Sequence, residues 1–406
     1  MKIRPVILCG GEGTRLWSKS KTNEAKQFIN FGGWTLFEKT LERVNNSLFD
    51  YPIISTNIKY LKNVKFFLKK RGFKKYKIIL EPSKKNTAPA ILTSSLLTLK
   101  DNKWEQPLIF LSSDHLIEKK HIFYREIKKN INKLDSKNIF IFGAKPTFPS
   151  VQYGYFLTKK IKKNINKVSK FIEKPNHFNA KKIIRKNGYW NTGIFLLKTQ
   201  SIIHNFLKYS PKIYHSTIKA VSGASKTKIH NNTWYIDKNL FEKISPESFD
   251  YAILEKAKYI NAIKLNIPWS DLGNWKEILK FYYQNKSKYF KKKNVYHRPW
   301  GRYVNLFEGK KFLIKELTIN SKSSISLQKH HHRSEHWMVI QGKPKITINK
   351  KKFFKKENDS IFVPSGTIHR IENLYKKPVK IMEAQIGNVL KESDIVRYKD
   401  VYGRVK

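Results

Sequence analysis

The sequence predicts an α/β protein in which a doubly wound, mixed sheet is followed by a C-terminal β-barrel. Through the first half, short apolar segments alternate with amphipathic segments, which is typical of parallel strands joined by helices. From Arg298 onward the chain changes to short alternating strands separated by Gly, Pro and Asn turns, as in small barrels. The polar stretch before this change predicts a linker at 286–298 between domains at 1–285 and 299–406.

Hydrophobic periodicity gives the individual elements of the first domain. The predicted strands are Val6–Cys9, Ile53–Ser55, Lys77–Leu80, Leu108–Ser112 and Ile139–Gly143. The predicted intervening helices are Phe37–Asn45, Val64–Arg71, Ala88–Leu99 and Phe123–Leu134. Strand–helix alternation of this kind places helices on both faces of a sheet.

The charge of the chain is its most conspicuous compositional feature. The 406 residues include 82 Lys and Arg against 30 Asp and Glu, a formal net charge of +52. Such a charge suggests nucleic acid or an anionic membrane surface as a partner, and a basic nucleic-acid-binding protein is one alternative. The lysines are spread over nearly the whole chain, however, and no module of interleaved aromatic and basic residues is present. We therefore expect no specific nucleic-acid partner.

Cysteine usage and hydropathy bound the compartment. Cys9 is the single cysteine, which excludes an intrachain disulfide and is consistent with a reducing environment. No apolar run approaches the roughly 20 residues of a membrane span, and the N-terminus lacks a signal-peptide pattern. We expect a cytoplasmic protein with no membrane partner.

A glycine-rich loop follows the first strand directly. Glycines at 10, 11 and 13 let backbone N–H groups approach an anion closely. Arg15 and Lys26 add positive charge on and just after this loop. Because open α/β sheets bind ligands at the carboxyl ends of their strands, we expect the loop to hold phosphates.

Two common phosphate-binding motifs do not fit the loop. A P-loop requires Gly-Lys-Ser/Thr, whereas Gly13 is followed by Thr14 and Arg15. A dinucleotide fingerprint requires a third glycine where Leu16 stands. The loop therefore predicts a different class of nucleotide site.

The second domain contains a set of side chains suited to a transition metal. Gln328 and His330 lie two residues apart on a predicted strand and so share a face. Glu335 follows closely, and His369 comes from a distant strand. An amide oxygen, two imidazoles and a carboxylate suit Zn²⁺ or another divalent transition metal. Pairing His330 with His332 is an alternative.

These motifs, with others, resemble a known family along essentially the whole chain. The glycine-rich loop ending in Trp17 resembles that of sugar-1-phosphate nucleotidyltransferases, in the mannose-1-phosphate guanylyltransferase branch. The further matching segments are Glu81–Ala90, Ser112–His115, Tyr153–Tyr155, Phe171–Pro175, Trp190–Gly193, Phe249–Tyr251 and Trp269–Trp275. Gln328–Trp337 and Pro364–His369 resemble the two halves of a cupin metal motif, as in type II phosphomannose isomerases. The chain thus resembles the bifunctional mannose-1-phosphate guanylyltransferase / mannose-6-phosphate isomerase family.

The resemblance implies a fold and two activities. It implies a GT-A/Rossmann-like nucleotidyltransferase domain followed by a cupin-type isomerase domain. The first would transfer GMP from GTP to mannose 1-phosphate, giving GDP-mannose for polysaccharide biosynthesis and releasing pyrophosphate. The second would interconvert mannose 6-phosphate and fructose 6-phosphate. Alternatives are a guanylyltransferase with a structural or inactive cupin domain, and a transferase for another base or sugar. The sequence leaves the oligomeric state open, a homo-oligomer included.

The resemblance also implies residue roles. Catalytic roles fall on Arg15, Lys26, Asp114, Lys174, Asp271 and Arg333. Nucleotide binding falls on Gly10, Gly11, Gly13, Thr14, Glu81, Asn86, Thr87 and Ala88, and sugar binding on Tyr153, Gly154, Glu173, Lys174 and Asn191. Mg²⁺ would be held by Asp114 and Asp271, and the cupin metal by Gln328, His330, Glu335 and His369.

Four departures from the family pattern predict weaker or slower transferase activity, among them Ser18 in place of a proline and Lys21 in place of an arginine. Ala25 stands before Lys26 where the family has proline, so the segment that carries the lysine should be looser. Lys85 stands where the family has arginine, which keeps the charge but loses the bidentate guanidinium.

Overall fold

The computed structural model describes residues 2–11, 25–31, 33–100, 104–161, 165–222, 229–230, 232–284, 294–309 and 311–403. These residues form two compact units. The first comprises the described residues of Met1–Gly13, Asn23–Ile29 and Thr35–Asp271, and the second those of Asn30–Trp34 and Leu272–Lys406. The domain limits that the sequence suggests, with a linker at 286–298, stay a prediction.

The first unit alternates strands with helices. Its strands are β1 (Arg4–Cys9), β2 (Ile53–Asn57), β3 (Lys77–Glu81), β4 (Pro107–Ser112), β5 (Leu116–Ile117), β6 (Ile139–Ala144), β7 (Tyr155–Ile161), β8 (Ile165–Ile172), β9 (Tyr189–Lys198), β10 (Ile229–His230), β11 (Thr233–Tyr235), β12 (Ile260–Leu265) and β13 (Trp269–Ser270). Its helices are α1 (Leu36–Val44), α2 (Leu61–Lys70), α3 (Thr87–Leu99), α4 (Lys120–Asn130), α5 (His177–Arg185), α6 (Thr199–Tyr209), α7 (Pro211–Ser222) and α8 (Lys238–Glu242). Short helical turns occur at Lys26–Phe28, Ile58–Tyr60 and Ile131–Lys133, and a π-helical turn at Asp250–Leu254.

The main sheet is mixed, as the sequence predicts. Among the described residues, eleven strands are ordered β10-β11-β3-β2-β1-β4-β9-β6-β12-β8-β7. Strand β1 runs parallel to both β2 and β4, whereas β9 runs antiparallel to its neighbours β4 and β6. Each strand and helix predicted for the first half overlaps an observed one, with ends displaced by a few residues. The predicted doubly wound α/β fold is confirmed.

Apolar side chains from both faces of the sheet build the core. Val6 belongs to one buried cluster, with Leu108 and Phe110, while its neighbour Ile7 belongs to another, with Phe37. Successive strand residues point to opposite faces, so both faces of β1 must be covered. The edge at the carboxyl ends of the parallel strands therefore remains as the place for a site. None of the described helices is both long and apolar enough to cross a bilayer.

The second unit is rich in strands. After α9 (Trp275–Gln284) come β14 (Asn294–Arg298), β15 (Gly301–Gly309), β16 (Phe312–Ile319), β17 (Leu327–His330), β18 (Arg333–Gln341), β19 (Lys345–Ile348), β20 (Lys351–Phe354), β21 (Ser360–Val363), β22 (His369–Glu372), β23 (Val379–Gly387) and β24 (Ile395–Lys399). Within its described residues, one sheet has the order β14-β15-β16-β23-β18-β21 and the other β20-β19-β22-β17-β24. Both sheets contribute to one buried cluster, which includes Trp337, Ile346 and Ile371. This arrangement confirms the predicted C-terminal barrel.

Helix α9 packs within the second unit. The ring of Trp275 lies 5.5 Å from that of Phe312, and Tyr282 stacks on Phe307 at 5.8 Å. These contacts bury the apolar face of the helix against β15 and β16. The helix therefore stabilises the barrel that follows it in the chain.

The start of α1 offers a test of the local structure. Thr35 and Glu38 form a capping box, in which the Thr35 hydroxyl accepts from the Glu38 N–H and the Glu38 carboxylate accepts from the Thr35 N–H. We expect Thr35→Ala to lower the opening free energy of α1 by about 1 kcal/mol, because one helix N–H loses its acceptor. Native-state hydrogen exchange, read by mass spectrometry, measures this. Thr35→Ser keeps the oxygen and is the control; unchanged protection of α1 in Thr35→Ala would contradict the expectation.

Candidate active sites

A cavity of about 210 Å³ opens at the carboxyl edge of the main sheet. Its walls come from the ends of β1, β2, β3 and β4 and from the start of α3. The predicted nucleotide-binding residues that line it are Gly10, Gly11, Glu81, Asn86 and Thr87. The predicted residues Gly13, Thr14 and Arg15 lie outside the described part of the chain.

The start of α3 lines this cavity through Asn86, Thr87 and Ala90. Asn86 caps the helix, its side-chain oxygen accepting from the Thr87 N–H at 2.9 Å, and has a φ of +68°. The N-terminus of a helix carries partial positive charge and suits an anion. The Ala88 side chain is fully buried in the apolar core, and its N–H donates to the Glu247 carbonyl at 3.1 Å, so Ala88 does not line the cavity.

Glu81 is a buried acid in the wall of the same cavity. Its carboxyl group accepts a hydrogen bond from the Ser55 hydroxyl. Burial raises its pKa to about 7, and the Ser55 bond only partly offsets this. A Cβ placed on Gly10 would lie 4.0 Å from Glu81 Oε2, so the glycine leaves open the space next to this oxygen. The cavity thus has the N-terminus of α3, which suits an anion, on one side and the buried acid Glu81 on another.

Lys26 links two distant acidic segments beside the cavity. It lies on the short turn after the glycine-rich loop and is only 3% exposed. Its ammonium group lies 2.8 Å from Asp114 Oδ2 and donates to the backbone carbonyl of Asp271. Burial alone would raise the pKa of Asp114, but Lys26 and His115 outweigh it and hold that pKa below its usual value. The structure therefore brings together three of the predicted catalytic residues.

The acidic residues of this cluster fit a hard divalent cation. Asp114 follows β4 and its carboxylate pairs with Lys26, whereas Asp271 follows β13 and contacts Lys26 through its backbone carbonyl. The Tyr153 hydroxyl donates to Asp271 Oδ1 at 2.8 Å. Ionised carboxylates next to a phosphate-sized cavity are the ligands that Mg²⁺ prefers.

The predicted sugar-binding residues lie just before β7, just after β8 and on β9. The Asn191 N–H donates to the Gly154 carbonyl at 2.8 Å. A Cβ on Gly154 would lie only 2.5 Å from Glu173 Oε2, so this position must be glycine for Glu173 to approach. Lys174 pairs with Glu173 at 3.4 Å and has a φ of +43°, a conformation that is uncommon for lysine. Tyr153 joins this group to the Asp271 cluster.

Sequence reasoning missed Gln27, Ser55 and Asp250 as parts of these sites. Gln27 Nε2 donates to the Gly11 carbonyl at 3.0 Å and so fixes the start of the loop. Its position next to Lys26 was the available signal. Ser55 belongs to none of the sequence motifs. Only the register of β2 against β3 places it beside Glu81. Asp250 lies in a matching segment, but the sequence gives it no role.

The barrel contains a buried three-residue cluster. Ligand atoms of His330, Glu335 and His369 all lie within 4.8 Å of one another. Glu335 Oε1 is 3.1 Å from His330 Nε2, and Glu335 Oε2 is 3.7 Å from His369 Nε2. Gln328 is adjacent, with its Nε2 3.4 Å from His330 Nε2. His332, the alternative partner of His330, is exposed.

Hydrogen bonds orient both imidazoles toward the cluster centre. His369 Nδ1 lies 2.8 Å from the Thr367 carbonyl, and His330 Nδ1 lies 3.3 Å from the Asp394 carbonyl. Both contacts place the ring proton on Nδ1 and leave a lone pair on Nε2. His369 Nε2 is buried and, within the described residues, has no hydrogen-bond partner. An orphaned nitrogen next to a carboxylate is what a metal site requires.

The charges around this cluster are tightly balanced. Burial works against the charged form of Glu335, but His330, His369 and Arg333 hold its pKa well below its usual value. Arg333 is 3% exposed, and its Nη1 donates to the Lys391 carbonyl at 2.8 Å. Burial lowers the pKa of His369, which favours the neutral, metal-binding form. The site thus contains an ionised carboxylate beside an imidazole, that of His369, whose neutral form burial favours.

We expect the purified chain to bind one Zn²⁺ at the barrel cluster. His369→Ala should weaken this binding by more than about a hundredfold, because loss of an outer partner of a ligand already costs about tenfold to a hundredfold. Competition against a chromogenic chelator measures the affinity. His331→Ala removes an exposed imidazole and should leave it unchanged. Equal zinc affinity in the wild type and in His369→Ala would contradict the assignment.

Family models match both parts of the chain. The nucleotidyl transferase model matches residues 4–288, and the model described as mannose-6-phosphate isomerase C-terminal matches residues 284–400. A mannose-1-phosphate guanylyltransferase of Salmonella montevideo is 30% identical, with 99% of this chain and 100% of that protein covered. The alginate biosynthesis protein AlgA of Pseudomonas fluorescens is 28% identical, with 98% and 96% covered.

Solved structures agree with these matches. A mannose-6-phosphate isomerase from Helicobacter pylori is 26% identical, with a TM-score of 0.57 over 66% of this chain and 100% of that one. A protein named mannose-1-phosphate geranyltransferase from Thermus thermophilus has a TM-score of 0.60 at 24% identity, over 70% of this chain and 81% of that one, and shows the shared fold. The chain therefore belongs to the nucleotidyl transferase family, in a form that ends in a mannose-6-phosphate isomerase C-terminal domain.

Proposed function

We propose that the first unit transfers GMP from GTP to mannose 1-phosphate, giving GDP-mannose and pyrophosphate. The observation that carries this proposal is the contact of Lys26 with Asp114 and Asp271 beside a glycine-lined cavity. The names of full-length relatives supply the base and the sugar. A nucleoside triphosphate substrate and a lone buried thiol support a cytoplasmic enzyme.

The chain's own residues account for each requirement of this transfer. The N–H groups of Gly10 and Gly11 would bind phosphate oxygens, the positive end of the α3 dipole would favour their charge, and Lys26 would neutralise it. A phosphate oxygen of the sugar attacks the α-phosphorus in line, and the bond to the β-phosphate breaks to release pyrophosphate. Asp114 and Asp271 would hold Mg²⁺, which supplies further charge neutralisation. Positioning and charge compensation thus supply the rate.

We also propose that the barrel interconverts mannose 6-phosphate and fructose 6-phosphate. This reaction moves a proton between C1 and C2 of the open-chain sugar. His330, Glu335 and His369, with Gln328 adjacent, would hold Zn²⁺ or another divalent transition metal, which supplies polarisation of the sugar carbonyl. Arg333, fixed by Glu335 and by the Lys391 carbonyl, would place positive charge where the substrate becomes anionic.

The transferase proposal predicts a specific pattern of pyrophosphate release. With Mg²⁺ present, we expect release from GTP and mannose 1-phosphate, and much less when ATP or glucose 1-phosphate replaces either substrate. A coupled pyrophosphate assay measures the rates. Faster release with another base–sugar pair would replace the proposed substrates, and no release with any pair would refute the transferase.

Lys26 provides the sharpest test of the cluster. Lys26→Met should lower kcat by about 10²- to 10³-fold, the usual effect of removing one preorganised charge-stabilising group. Lys62→Met removes an exposed lysine from α2 and should leave the rate unchanged. Equal rates for the two variants would show that Lys26 takes no part in catalysis.

Chelation separates a bifunctional enzyme from a guanylyltransferase with an inactive barrel. A zinc-selective chelator, with Mg²⁺ in excess, should abolish isomerase activity and spare pyrophosphate release, because the two metals are held by different residues. Both rates are measured on the same sample. An untreated, zinc-loaded chain without isomerase activity would favour the inactive barrel.

A further inference from the structure

The amide of Asn191 is engaged at both ends by the protein itself. Its Oδ1 accepts from the Gly193 N–H at 3.2 Å, and its Nδ2 donates to Asp250 Oδ1 at 2.7 Å. Because a backbone N–H fixes the oxygen end, the orientation of the amide is determined. Asn191 therefore acts as a clamp on Asp250. Because both ends of the Asn191 amide are engaged, the Asp250 carboxyl group is the one of the two that can bind a ligand.

Three elements hold the backbone that carries Asp250. Asp250 begins a π-helical turn, a local irregularity that is frequent at functional sites. The preceding Phe249 is fully buried and packs on Phe195 of β9, with ring centroids 4.9 Å apart. The Phe249 N–H donates to the Thr87 hydroxyl at 2.9 Å, at the start of α3. The position of the carboxyl group is thus fixed by β9, by the helical turn and by α3.

A second acidic residue, Glu173, lies near Asn191. Glu173 reaches Gly154, and Gly154 accepts from the Asn191 backbone, so Glu173 and Asp250 flank the same asparagine. Burial, with a further contribution from Glu173, raises the pKa of Asp250 to about 7, and burial also raises the pKa of Glu173. At neutral pH such a pair offers both a donor and acceptors, and a sugar hydroxyl is itself both donor and acceptor.

We propose that Asp250, clamped by Asn191, is a sugar-binding residue that exchanges a hydrogen bond with a hydroxyl of the sugar 1-phosphate. Asn191 is then a positioning residue for it. The assignment rests on the proposed transferase function, and it adds a specificity-determining group to that site.

The test combines Asp250 variants with sugar phosphates that lack single hydroxyls. We expect Asp250→Ala to raise KM for mannose 1-phosphate by about tenfold to a hundredfold, as for loss of a hydrogen bond to a charged or ionisable group, without changing KM for GTP. The 2-, 3-, 4- and 6-deoxy analogues of mannose 1-phosphate are then compared. With the analogue that lacks the partner hydroxyl, wild type and variant should have the same KM. Asp250→Asn keeps the shape of the side chain and guards against a folding defect.

Controls distinguish the loss of a contact with the sugar from a change in the structure around Asp250. Glu242→Gln removes an exposed carboxylate from α8 and should leave KM for mannose 1-phosphate unchanged. An Asp250→Ala penalty that persists with all four analogues, or no penalty at all, would overturn the proposal.

A wild-type chain that turns over no sugar phosphate would refute the transferase function separately. Calorimetric titration of mannose 1-phosphate and its deoxy analogues, with GTP present, then decides the role of Asp250. Tighter binding to wild type than to Asp250→Ala, lost with one analogue, supports that role. Equal binding to both chains, or binding to neither, overturns it.

Discussion

The candidate site of the first unit depends on the contacts of one buried ammonium group, that of Lys26. Its contacts tie the turn after the glycine-rich loop to the end of β4 and to the segment after β13. Without this cation, burial would favour the neutral form of Asp114, and the Asp271 carbonyl would lose its donor. With it, Asp114 stays ionised in a buried position and remains available to a divalent cation.

The barrel also keeps a buried carboxylate ionised, but it does so with a different set of residues. Glu335 is kept ionised in the interior by two imidazoles and by Arg333. Trp337 Nε1 and Gln385 Nε2 also donate to its oxygens, at 3.1 and 3.2 Å. A buried carboxylate with this many donors costs little to keep charged, and it anchors the two histidines around it. Each unit therefore holds its candidate metal ligands by pairing a buried acid with nearby cationic or donor groups.

The sequence predicted the fold, and which residues lie in the two candidate sites, better than it predicted the hydrogen bonds of each side chain. Glycine spacing identifies Gly10 and the ligand-type side chains identify His369, because these signals are local, whereas the role of Asp114 follows from the family resemblance. The partners of side chains depend on tertiary register, so the clamp of Asn191 on Asp250 and the Ser55–Glu81 bond could not be read from the chain. Lys85 illustrates the same limit, since its ammonium donates to the Glu242 carbonyl at 2.6 Å, a contact that no motif encodes.

Crystallography of the chain with GTP and Mn²⁺ tests the central claim most directly. Manganese replaces magnesium at oxygen-rich sites and is located by its anomalous scattering. The account predicts an anomalous peak bound by the carboxylates of Asp114 and Asp271, with the triphosphate over Gly10 and Gly11 and near Lys26. A triphosphate outside this cavity, or manganese bound away from both aspartates while the triphosphate occupies it, would contradict the account.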